Sequence, residues 1–77
     1  MKLSRFNRLT TREKASLLYA SGRYLMSVSE GRHAITLFAI DSTFVEVYFD
    51  SDTRQIDRIT IASKSNLDKY LKKIKLA

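Results

Sequence analysis

His33 is the only histidine, and in a chain without cysteine it is the side chain to weigh as a general base. A general base would need a carboxylate to orient it. No Ser or Asp motif surrounds His33, so a strand-end histidine without a catalytic role is the expectation. Asp50-Ser51-Asp52 opens like a calcium-binding loop. Arg54 then stands where a further ligand is needed, and the glycine and closing glutamate are missing, so the segment reads as a hairpin turn. Glu46 falls within a strand, diagonal to Arg58, and reads as half of a cross-strand ion pair. Gly22 and Gly31 are isolated, which leaves no phosphate-cradling loop. The absence of cysteine excludes a disulfide framework, a thiolate zinc site and a thiol nucleophile. No catalytic residue, metal ligand, cofactor or small-molecule ligand is therefore expected.

One charged pattern does point to a partner. Lys69, Lys72, Lys73 and Lys75 lie along one side of a C-terminal amphipathic segment, where they can track a phosphate backbone. Arg5 and Arg8 in the basic N-terminal stretch would extend that footprint. Formal net charge is +6, and it belongs to the two ends, because the segment between them is slightly acidic. Such charge also simply keeps a small protein in solution. Nucleic-acid binding is thus held as the alternative function.

The elements that must position these residues follow in chain order. At 77 residues there is room for one domain, and a chain of that size buries only about 60% of its unfolded surface. With disulfides excluded, oligomerisation is the expected extra source of stability. Residues 1–9 read as a basic arm and residues 10–77 as a single α+β domain. Thr10-Thr11-Arg12-Glu13 fits a capping box, opening a helix that buries Ala15, Leu18 and Tyr19 and ends at Gly22 as a left-handed cap. From Arg23 the apolar period changes to two, with Tyr24, Met26 and Val28 on one side. Further strands are expected from His33 to Ile40, Phe44 to Phe49 and Ile56 to Ala62, joined by turns too short for anything but antiparallel pairing. A final helix is expected after Ser65-Asn66-Leu67-Asp68, with Leu67, Tyr70, Leu71 and Ile74 as its apolar stripe.

The expected fold class is a two-layer α-β-β-β-β-α domain, its antiparallel meander packed on one face by both helices. Pairing Ile40 with Phe44 across a three-residue loop would put Ile35, Leu37, Val45, Val47 and Phe49 under the helices. The other face would then show Phe38, Ile40, Phe44, Glu46, Tyr48 and Arg58, an aromatic centre with a charged surround, as protein interfaces favour. A non-enzymatic module acting through protein contacts, as a homodimer on that open face, is the leading functional expectation. No apolar run approaches the roughly 20 residues that span a bilayer, and the first residues lack the apolar core of a signal peptide. A cytoplasmic location is expected, without membrane attachment.

Leu37-Phe38-Ala39-Ile40 followed by Phe44-Val45-Glu46-Val47-Tyr48-Phe49-Asp50 resembles a pattern in short uncharacterised bacterial proteins, a Leu-aromatic strand and then Phe-Val-Glu-Val-aromatic-aromatic-Asp. The resemblance covers roughly residues 13–61 and implies the meander without implying an activity. The order of helix, antiparallel strands and basic helix is also loosely similar to the double-stranded-RNA-binding domain. The Gly-Pro-x-His type of loop and the lysine signature of that family are missing here, so no RNA-contacting residue is carried over.

Overall fold

The computed structural model describes residues 3–62 and Tyr70. Its helices are α1 (Leu3–Arg8) and α2 (Thr11–Ser21), and its strands are β1 (Arg23–Glu30), β2 (His33–Ile40), β3 (Thr43–Asp50) and β4 (Gln55–Ile61). The strands form one antiparallel sheet in the order β1-β2-β3-β4, so the fold is α+β with the expected meander. Of the expected C-terminal helix, residues 65–69 and 71–76 lie outside the described residues.

α2 starts as its sequence dictates. The Thr10 N–H donates to Glu13 Oε1 at 2.8 Å, and the Glu13 N–H donates to Thr10 Oγ1 at 3.1 Å, closing the capping box. Its end differs from expectation. Gly22 is extended, with φ −82° and ψ 159°, and not left-handed. Glycine is needed there for proximity: a Cβ would sit 2.7 Å from the Leu18 carbonyl oxygen, which accepts the Gly22 N–H. Gly31 behaves as expected, turning β1 into β2 with φ +58°.

The β2–β3 connection is shorter than expected. Ile40 pairs with Thr43, leaving only Asp41 and Ser42 in the turn, and Asp41 takes φ +54°. Thr43, a good strand former, is thus the first residue of β3 rather than part of the loop. A one-residue slip exchanges the faces of one strand relative to the other. Phe38 and Ile40 therefore join Val45 and Val47 beneath the helices, with Phe6, Leu18 and Ile59 completing that core. Ile35 and Leu37 join Val28 and Tyr70 on the opposite face. Val47 pairs with Ile59, and Met26 and Val28 share a face with Leu37 and Ile35. Tyr24 does not, because a bulge at Leu25 returns it to the helix-bearing face opposite Phe38.

Phe6 is buried on that core, and Leu9 packs beside it, so the N-terminal stretch lies against the domain through α1. Tyr70 is buried on the face away from α1 and α2.

Candidate functional site

The residues expected to form one open face are divided between the two faces of the sheet. Phe38 and Ile40 are buried under the helices. Glu46 lies on the other face and is 1% exposed, with its Oε2 accepting from the Tyr70 hydroxyl at 2.6 Å. Burial, reinforced by this bond to Glu46, pushes the Tyr70 phenol well above its usual range. Phe44 is partly exposed, Tyr48 is half-buried, and Arg58 is exposed with its guanidinium 4.1 Å above the Tyr48 ring. Phe44, Glu46, Tyr48 and Arg58 thus share one face, with Tyr48 and Arg58 in contact, while Phe38 and Ile40 lie together on the other. The physical reason is the register slip at Asp41-Ser42. In the alternative set, Arg5 and Arg8 are exposed on α1, while Lys69, Lys72, Lys73 and Lys75 lie outside the described residues.

His33 has partners that its sequence neighbours did not reveal. Its Nε2 lies 3.0 Å from Asp57 Oδ2, although β3 runs between their strands. Asp57 can reach because it is the extra residue of a bulge in β4, where Tyr48 pairs with Arg58 but Phe49 pairs with Ile56. The Tyr48 ring stands edge-on to His33 at 5.9 Å.

Asp50, first carboxylate of the calcium-like motif, clamps its own turn. Its Oδ1 accepts from the Asp52 N–H at 2.9 Å and the Thr53 N–H at 3.2 Å, and Oδ2 meets Arg32 Nε at 3.1 Å. The Thr53 N–H is the largest of the influences that hold the Asp50 carboxyl below its usual range. Burial opposes it, while the Asp52 N–H, Arg32 and His33 reinforce it. Among the described residues no group of three His, Cys, Asp or Glu side chains is placed to hold a metal ion.

A concavity that sequence reading missed lies on the helix-bearing face. It is a groove of about 350 Å³ lined by Tyr19 of α2, Tyr24 of β1, Ala34, Thr36 and Phe38 of β2, Val47 and Phe49 of β3, and Ile56 of β4. Its walls come from the end of α2 and from all four strands, so it exists only in the folded sheet. Phe38 forms the floor, flanked edge-on by Tyr19 at 6.1 Å and Tyr24 at 6.2 Å. Tyr19 was expected in the core; instead it stands at the rim, 70% exposed, with Tyr24 at 59% and Phe49 at 36%. Among the described residues no charged side chain lines the groove. The available signal was that tyrosine combines an apolar body with a polar tip suited to a rim. The bulge that brings Tyr24 there left no mark in the alternation of β1.

No family model, curated protein or solved structure matches the chain. Among the described residues no helix is long and apolar enough to cross a membrane.

Proposed function

We propose that the chain is a small non-catalytic binding module that engages a protein partner through the aromatic groove. The observation that carries this reading is the exposure of Tyr19, Tyr24 and Phe49 around the buried ring of Phe38, in a concavity whose described lining carries no charge. Rings of this kind offer large contact area at little conformational cost, and a volume of about 350 Å³ suits an apolar anchor from a partner. The reading takes His33 and Asp57 as a cross-strand pair and places the protein in the reducing cytoplasm, which suits a chain without cysteine.

Selection of displayed random peptides against the folded chain tests it. Enriched peptides are expected to share an aromatic or aliphatic anchor, and to bind Tyr19→Ser and Phe49→Ser at least about tenfold more weakly, a loss of about 1.4 kcal/mol. Both side chains are exposed enough for the fold to survive, as circular dichroism would check. Peptides that bind both variants as tightly as the parent would sink the groove assignment.

A second reading, binding to phosphate backbones, keeps one observation in its favour: Arg5, Arg8 and Arg12 are all exposed along the two N-terminal helices. It rests on the lysines expected along the C-terminal segment, Lys69, Lys72, Lys73 and Lys75, as the further phosphate contacts.

A further inference from the structure

The geometry points to a homodimer built edge to edge, in which β1 pairs antiparallel with β1 of a second copy about a twofold axis through Ser27. β1 ends the sheet, and among the described residues nothing pairs with its outer edge. An open edge of eight residues is a row of backbone donors and acceptors ready for another strand. Its sequence, Arg-Tyr-Leu-Met-Ser-Val-Ser-Glu, decides which strand fits.

Antiparallel pairing by a twofold keeps equivalent faces on the same side, so directly opposed residues must share a face. Against β2, Met26 and Val28 lie on one face and Tyr24, Ser27 and Ser29 on the other, with Leu25 bulged out between them. Placing Ser27 opposite Ser27 of the second copy therefore sets Met26 opposite Val28. Past the bulge, Tyr24 then falls opposite Ser29 and Arg23 opposite Glu30. Every pair satisfies the face rule, and the only two charges of the strand meet opposite charges at both ends. The bulge, which usually blunts an edge, is what brings Arg23 onto the same face as Glu30. Met26 and Val28 also extend the apolar cluster of Ile35 and Leu37 across the axis. The other outer strand, β4, carries Asp57 and Arg58 near its middle, as protected edges do.

Such pairing makes one eight-stranded sheet and places both aromatic grooves on the same side, with the two Tyr24 rims nearest the axis. The inference goes beyond the groove assignment and stands whatever fills the groove.

Ser27 supplies the test, because it is exposed and sits opposite itself. Sedimentation of the parent at about millimolar concentration, a range that reveals even weak association, is expected to give twice the 8.9 kDa chain mass. Ser27→Lys and Ser27→Glu should each give the single-chain mass with an unchanged circular dichroism spectrum, since like charges then face each other across the axis. An equimolar mixture of the two variants should recover the doubled mass. A monomeric parent, variants that dimerise alone, or a mixture that stays monomeric would each overturn the pairing.

Discussion

Tyr70 and Glu46 stand far apart in the chain, yet the hydroxyl of one donates to the carboxyl of the other at 2.6 Å in a buried setting. Removing one partner of a buried hydrogen bond costs more than the bond itself contributes, because the remaining group keeps its desolvation penalty. Tyr70→Phe is therefore expected to destabilise the domain by about 1–3 kcal/mol, read from the urea midpoint at neutral pH. Burial and the bond to Glu46 keep the Tyr70 phenol protonated in the folded protein above its ordinary pKa of 10.0, while the unfolded chain loses that proton near 10.0. The unfolded state then binds fewer protons than the folded one, so stability present below pH 10 is lost as pH rises beyond it. The gap between parent and Tyr70→Phe should accordingly narrow in alkaline buffer. Equal midpoints at neutral pH would show that the bond contributes nothing. Neither residue looked coupled in sequence: Tyr70 read as part of an apolar stripe and Glu46 as a partner for Arg58.

At the scale of elements, the two glycines separate two physical causes. Gly22 has an ordinary extended backbone, so an added methyl is opposed by the Leu18 carbonyl 2.7 Å away. Gly31 meets nothing within 4 Å, but its φ of +58° is unfavourable for any L side chain. Gly22→Ala is expected to cost about 1–3 kcal/mol by overpacking, and Gly31→Ala about 1–2 kcal/mol by backbone strain. Gly31→Asn, with a side chain that tolerates left-handed backbone, should recover part of the latter loss. Thermal melts decide both, and a neutral Gly22→Ala would remove the close-approach explanation. The capping box, the turn at Gly31 and the four strands were legible because each rests on neighbours in the chain. The Asp41-Ser42 register and the Leu25 and Asp57 bulges were not, since each is settled by which residues two strands can bury together.

Charge is a property of the whole molecule. Residues 3–62 with Tyr70 contain eight Lys and Arg against seven Asp and Glu, so nearly all of the +6 comes from residues beyond them. If phosphate binding is the function, affinity for labelled oligonucleotides should fall by several orders of magnitude between about 50 and 200 mM salt, with little sequence preference. Replacing Lys69, Lys72 and Lys73 with Gln should then abolish binding. Undetectable binding at the lower salt, seen by fluorescence anisotropy, would leave the basic ends as solubilising charge and the groove as the functional surface.

Period, capping and turn residues by themselves determined that this chain makes a capped helix followed by an antiparallel meander, because those signals act over a few residues of contiguous backbone. Which side chains share a face was decided only in three dimensions. One residue of slip at Asp41-Ser42 and one bulge at Leu25 moved Phe38, Ile40 and Tyr24 between faces without changing any local propensity. The aromatic groove follows from the same decision, since only in that register do Phe38 on its floor and Tyr24 on its rim stand on the helix-bearing face.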